Sequence, residues 1–327
     1  MTDGRHRLIL GLLTGGLVLL CLLSLAVGAG EVGFADTAQV LIGGGDATSR
    51  ITVLEVRLPR TLLAVVVGAA LAVSGALIQA FSRNPLADPG ILGATAGAST
   101  AMTIGASVGL LGSQASELLV AFLGAAIAGI AVYLIGRDVP SRLVLAGTAL
   151  SAVLMGVSLL LRILLPDTLD KFRHWSVGTI AGREQTDFLL PVILIVLALV
   201  ASLLISRQLD TVALGDDVAS SLGARLRYIR PAVLLLVTLL AGLATAVVGP
   251  IVFLGLIAPH IARRIVRASV PWLCAFSLVL GPVVLLAADI VGRVLLATGE
   301  VPVAIPVAFM GAIVLIIVVR RYGEATL

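Results

Sequence analysis

The side chains that could do chemistry are few and scattered. Histidine occurs at His6, His174 and His260, and none stands in an H-E-x-x-H or Cys/His metal spacing. Cys21 and Cys274 both lie inside apolar runs and read as small core residues rather than a disulfide pair. There is no G-x-S-x-G elbow and no Walker A sequence. An intramembrane protease or transferase would need polar pairs within its apolar segments. Neither catalytic residues nor a metal site is therefore expected. The charges beside the apolar runs are more informative. Asp289 and Arg293 lie four apart, the spacing of a pair along one helix face. Arg57 and Arg60 flank Pro59 at the head of an apolar run, where proline suits a first helical turn. On physical grounds these two arginines either snorkel to headgroups or form a cationic rim for an acidic partner.

The elements that carry them must be membrane helices. The chain has 327 residues, of which 59% are hydrophobic and 12% charged. Soluble domains are about 45–50% apolar and ~25% charged, so a soluble enzyme is excluded. A bilayer core about 30 Å thick takes ~20 apolar residues per helix. The length suits one all-α membrane domain, 1–327, of about ten spans, with no soluble domain; any ATP must be handled by another chain. Charges and Gly/Pro clusters bound the spans at about 8–28, 60–81, 91–111, 116–136, 142–164, 187–206, 230–248, 252–262, 271–295 and 303–319. Arg5 and Arg7 precede the first run as in a signal peptide, but its length reads as a retained first helix. The eighth run is short, bracketed by Gly249-Pro250 and Pro259, and such a broken helix needs protein or a cavity around it.

With both termini in the cytoplasm, 14 of the 22 basic residues fall inside and 8 outside, as the positive-inside rule favours. The outer 8 include Arg57, Arg60 and Arg293, against the trend. Two loops exceed simple connections. An outer segment at about 168–183 reads as a short surface helix. An inner segment at about 210–228 has a Gly-Asp-Asp helix start and an apolar stripe of Val218, Leu222 and Leu226, and reads as a small helical pair. A faint echo joins VGAALAVSGALI at Val67 to AGLATAVVGPIV at Ala241, each following two arginines three apart, Arg57/Arg60 and Arg227/Arg230. That is the form of an inverted repeat, or chance among Gly/Ala-rich spans. Small residues from Gly68 to Ala98 serve tight packing alone or a path that slides and reseals.

Arg57 to Ser99, RLPRTLLAVVVGAALAVSGALIQAFSRNPLADPGILGATAGAS, resembles the second-to-third-span signature of the FecCD family. So do GPIVFLGLIAPHIARRIV from Gly249, LAADIVGRVLLATGEVPVAIPVAFMGAIVLI from Leu286 and LGDDVASSLG from Leu214, in family order over nearly the whole chain. These are the membrane permeases of type II ABC importers for iron-siderophores, haem and vitamin B12. The resemblance implies a ten-span permease in the cytoplasmic membrane of a bacterium. It implies a second permease subunit, two ATPase subunits holding ATP and Mg, and an extracytoplasmic substrate-binding protein. No cofactor is expected on this chain, and its surroundings are membrane lipid rather than nucleic acid.

Residue by residue, the resemblance assigns Arg57, Arg60 and Arg293 to docking of the binding protein. It assigns Leu214, Gly215, Asp216, Asp217, Ala219, Leu222 and Gly223 to coupling with the ATPase. It assigns Asn84, Leu86, Pro140 and Ser141 to a cytoplasmic gate. The wording is most like the siderophore branch, with haem and cobalamin left open, as is homodimer against heterodimer. An ion-coupled secondary transporter is the reading from another class. It should carry mid-membrane acidic residues, which the spans lack away from their ends.

Overall fold

The structure is a computed structural model. It describes residues 2–28, 32–136, 139–165, 172–173, 175–183, 188–213, 215–266, 269–296 and 299–323. Every regular element among them is helical. In order these are α1 (Thr2–Ala26), α2 (Phe34–Leu41), α3 (Ala47–Ser82), α4 (Ala94–Ser107), α5 (Gln114–Gly136), α6 (Pro140–Leu164), α7 (Leu189–Ala213), α8 (Asp216–Ser221), α9 (Leu226–Val248), α10 (Leu254–Ile265), α11 (Val270–Val294) and α12 (Ala304–Gly323). The ten expected spans correspond in order to α1, α3, α4, α5, α6, α7, α9, α10, α11 and α12. Seven of these, α1, α3, α5, α6, α7, α9 and α11, are long and apolar enough to cross a bilayer by themselves. The other three are shorter: α4 has 14 residues, α10 has 12, and the apolar part of α12 is Ala304–Ile317.

Helix α3 is the packed centre. From Thr61 onward it is apolar all round, the pattern of a helix buried on every side, and it packs against α7, α9, α10 and α11. Small residues make this possible. A Cβ at Gly75 would sit 1.8 Å from the Gly255 carbonyl oxygen of α10, and one at Gly281 of α11 would sit 2.1 Å from that of Gly68. Dispersion between closely approaching backbones takes the place of a hydrophobic drive inside lipid. The same device joins α4 to α5, where Gly97 and Gly124 face each other. These glycines therefore serve packing within the chain.

Four differences from the expectations have physical causes. Helix α3 begins at Ala47, well before the run at residue 60, and passes through a π-helical segment, Ile51–Arg57. Pro59 has no N–H to donate, and a wider turn ahead of it lets the helix continue. The inner helical pair is instead a single six-residue α8, because α7 extends to Ala213 and α9 already starts at Leu226. The described part of the 168–183 segment packs inward, with Phe172, Trp175 and Ile180 buried. Trp175 Nε1 donates to the Ala246 carbonyl at 3.4 Å and Thr179 N to that of Val248 at 2.9 Å. This covers the end of α9, which Gly249 terminates with a φ of 79°. Lastly, a short helix α2, not foreseen, precedes α3.

Helix α6 is the opposite of α3: it leaves most of its surface exposed, including Thr148, Ala149, Ala152 and Gly156 along one face. A Cβ added at Gly156 would meet nothing within 4 Å.

Candidate functional site

The functional residues fall into two clusters at opposite ends of α3. At its N-terminal end, beside α2, the three arginines point inward. Arg57, Arg60 and Arg293 are 4%, 7% and 3% exposed. Arg60 donates Nη2 to Asp289 Oδ1 at 2.7 Å and Nη1 to Glu300 Oε2 at 2.7 Å. Arg293 donates Nε to Asp289 Oδ2 at 2.9 Å, so the pair four residues apart is present, and a second contact from its Nη2 reinforces it.

The remaining donors serve α1. Arg57 Nη1 bonds the carbonyls of Leu25 at 2.9 Å and Ala26 at 3.1 Å, and its Nη2 bonds that of Val32 at 3.2 Å. Arg293 Nη1 bonds the carbonyls of Ser24 at 2.7 Å and Val27 at 3.0 Å. The last carbonyls of a helix have no partner within it and carry the negative end of its dipole. Two guanidiniums from distant helices satisfy them here. A Cβ on Gly28 would meet Arg57 Nε at 3.0 Å, so the close approach needs that glycine. From sequence, Arg57 and Arg60 either snorkel to headgroups or form a cationic rim; the structure buries them and Arg293 within the chain. Glu300, with its side chain 27% exposed, opens the cluster to water.

At the other end of α3, Arg83 takes the left-handed C-cap conformation with a φ of 52°. Its Nη2 donates to the Val212 carbonyl at 2.9 Å and to Asp216 Oδ1 at 2.8 Å. Arg230 Nη2 donates to Asp216 Oδ2 at 2.5 Å. Asp216 thus ties the ends of α3 and α7 to the start of α9. The hydrogen bond from Arg230, helped by that from Arg83, holds its carboxyl below the usual carboxylate range. Helix α8 starts at Asp216 because Gly215, with a φ of 117°, makes the turn, and Gly223, with a φ of 83°, ends the loop after it.

Within α8 only Ala219 is buried, while Asp217, Val218 and the adjacent Leu222 are exposed. Val218 and Leu222 of the expected apolar stripe therefore face away from the chain, whereas Leu226, its third member, packs against the core. Gly215, Asp216, Asp217, Ala219, Leu222 and Gly223 are brought together on this segment; Leu214 lies outside the described residues. The sequence reading missed Arg83 and Arg230 as partners of Asp216, although the pair Arg227/Arg230 had marked the head of α9.

The expected gate residues Asn84 and Leu86 are exposed beside Arg83, where Asn84 Oδ1 accepts from Leu86 N at 2.9 Å in a tight turn. Ser141 is exposed at the start of α6, where Pro140 occupies the first turn. The 3₁₀ turn Pro89–Leu92 that follows Leu86 packs against α6. Helix α1 begins on this same side, with His6 5.2 Å from the Trp272 ring near the start of α11. Among the described residues, no three His, Cys, Asp or Glu side chains gather as a metal site would require.

A helical bundle with an exposed six-residue helix at one end and a largely buried charge cluster at the other matches known proteins along its length. The FecCD transport family model covers residues 16–321. The chain belongs to the FecCD transport family. It is 41% identical over 310 residues to the ferric enterobactin transport system permease protein FepD of Escherichia coli (strain K12), covering 93% of this chain and 92% of that protein. It is 36% identical to the hemin transport system permease protein HmuU of Yersinia pestis, covering 98% and 97%. A solved inward-facing structure of a metal-chelate type ABC transporter superposes with a TM-score of 0.80 at 29% identity, covering 96% of this chain and 99% of that one. As a member of this family with seven long apolar helices, the chain is a multi-pass protein of the cytoplasmic membrane.

Proposed function

We propose that this chain is the permease subunit of an ATP-binding cassette importer that carries a ferric siderophore across the membrane by alternating access. The likeness to the ferric enterobactin permease over nearly the full length of both chains carries this reading. A haem ligand is the second reading, supported by the 36% identity to the hemin permease. Ion coupling finds no support in the spans. Asp289, the acidic residue buried within α11, has both oxygens held by guanidiniums and is not poised to bind and release a cation.

The side bearing α8 is assigned to the cytoplasm, on the balance of 14 basic residues to 8. There α8 presents Val218 and Leu222 to a cleft of a partner ATPase, whose closure it transmits as rigid-body motion. Asn84, Leu86, Pro140 and Ser141 close the path at that face. The second permease packs on α6, where Thr148, Ala152 and the open Gly156 allow a close helix approach. On the opposite side a binding protein docks. For it to reach Arg60, its carboxylates must displace Glu300, the exposed partner of that guanidinium. Arg57 and Arg293 act from below by holding α1 and α11 in place.

The test is uptake of iron-labelled ferric siderophore by proteoliposomes containing this chain, its second permease and ATPase, with binding protein outside and ATP within. ATP- and binding-protein-dependent accumulation, with haem excluded, is the expected result. Accumulation driven by an ion gradient without ATP would overturn the reading.

A further inference from the structure

A second surface lies beside α8. The outward stripe of α7 is purely aliphatic: Leu190, Ile193, Leu197, Val200 and Leu204 are all exposed at three- and four-residue spacing. Unlike the small, partly polar face of α6, it suits contact with lipid tails. Continued one turn, the stripe reaches Arg207, Gln208 and Thr211, which line a cleft of about 570 Å³ closed on its other wall by Leu222, Gly223, Arg225 and Tyr228, so that it borders the segment proposed to meet the ATPase. Among the described residues, no acidic side chain lines this cleft. Neither Arg207 nor Arg225 has an ion-pair partner among the described residues, unlike Arg83 and Arg230, which share Asp216. Tyr228 is exposed, as aromatic residues are at a membrane interface.

An apolar slot of about 150 Å³ opens on the same helix, between α5 and α9, lined by Ile130, Tyr133, Pro231, Leu235 and Leu239. Leu235 follows Tyr228 by seven residues, so it lies on the same face of α9 and about 10 Å deeper in the membrane. Unpaired basic residues at headgroup depth above an apolar slot match the two parts of a phospholipid.

We propose that the cleft and slot hold one anionic phospholipid of the leaflet on the α8 side, its phosphate between Arg207 and Arg225 and an acyl chain along Leu235. The naming of that leaflet as cytoplasmic rests on the orientation proposed above; the site itself does not. A bound lipid here braces the end of α7 against the loop that follows α8.

The experiment is native mass spectrometry of the intact permease–ATPase complex, titrated with dioleoyl phosphatidylglycerol or dioleoyl phosphatidylcholine. Phosphatidylglycerol should be retained in preference, and the double variant Arg207→Gln, Arg225→Gln should bind it about 30-fold more weakly, at about one kcal/mol per arginine. Leu235→Trp, which fills the slot and leaves both charges, should weaken it severalfold. Glycerol phosphate at equal concentration should not displace it. Equal retention of the two lipids, or no change in the double variant, overturns the proposal. Displacement by glycerol phosphate would make this a free-phosphate site. Loss of the ATPase from the arginine variant with lipid retention unchanged would make it a protein contact. Either outcome also refutes the lipid assignment, and none of them bears on the transport reading.

Discussion

Each end of α3 sets an arginine against an aspartate that a second arginine also holds. Asp289, between Arg60 and Arg293, is 2% exposed, whereas Asp216, between Arg83 and Arg230, has a side chain that is 47% exposed. The chemistry is the same and the consequence differs, because the interaction of charges depends on how much water screens them. In the buried cluster a removed partner leaves a charge that nothing solvates. In the other, water reaches Asp216 and Arg83, though Arg230 is 11% exposed, so a lost partner costs less. The buried cluster also finishes the end of α1 and so makes one body of α1, α3 and α11. The exposed cluster joins α8 to the ends of three long helices, where a bond that can be exchanged suits the coupling motion proposed for α8.

The largest expected effect follows from this contrast. Asp289→Ala should destabilise the protein by about 3–5 kcal/mol, read from thermal unfolding in detergent, because two buried guanidiniums lose their carboxylate. A loss under about 1 kcal/mol would remove the distinction between the two ends. Next, Gly75→Ala should cost about 1–3 kcal/mol, since its Cβ would occupy the Gly255 carbonyl. Gly156→Ala, in open space, should stay within about 0.5 kcal/mol in the isolated chain. Equal costs at the two glycines would mean that α3 is not the packed centre.

Smaller still is the effect of Glu300→Gln. It frees one side of Arg60 and should tighten binding-protein docking severalfold while leaving thermal stability nearly unchanged. Weaker docking would show that Glu300 is part of the receiving surface rather than a competitor. The smallest effect is on pH. The carboxyl of Asp216 is depressed in the folded chain. Its contribution is therefore complete above the unfolded value, about 3.9, and is lost only as pH falls through the lower folded value. Spin labels on α8 and α9 should report no change in separation between pH 7 and 5. A transition near pH 6 would contradict the pairing.

Most of the spans were legible because their apolar runs are long, bounded by charge or by Gly/Pro, and continuous; the short α10 was marked instead by Gly249-Pro250 ahead of it. The start of α3 was not. Residues 47–57 contain Arg50, Glu55 and Arg57, which read as a polar connection, and only the neighbouring α1 and α2 give those turns something to pack on. The Gly-Asp-Asp start of α8 was legible from the residue types alone, since Gly215 supplies a turn that other residues resist. The extent of the neighbouring helices was not, because charged residues at headgroup depth prolong a helix as readily as they end it.

For the arginines, type and position could be read but direction could not. Whether Arg57 points to water or inward depends on the carbonyl of Leu25, 32 residues earlier in the chain. No local pattern encodes that meeting. Arg83 and Arg230 were hidden for the same reason: their shared partner Asp216 lies 133 and 14 residues away.

The most direct test measures stability and ATP-driven uptake together on Asp289→Asn and Asp216→Asn in the assembled transporter. Asp289→Asn should lower the unfolding temperature, while the protein that remains folded still couples ATP hydrolysis to uptake. Asp216→Asn should keep the unfolding temperature and lower the siderophore carried per ATP hydrolysed. Normal coupling in the Asp216 variant, together with an unchanged unfolding temperature in the Asp289 variant, would contradict the division of labour between the two ends of α3.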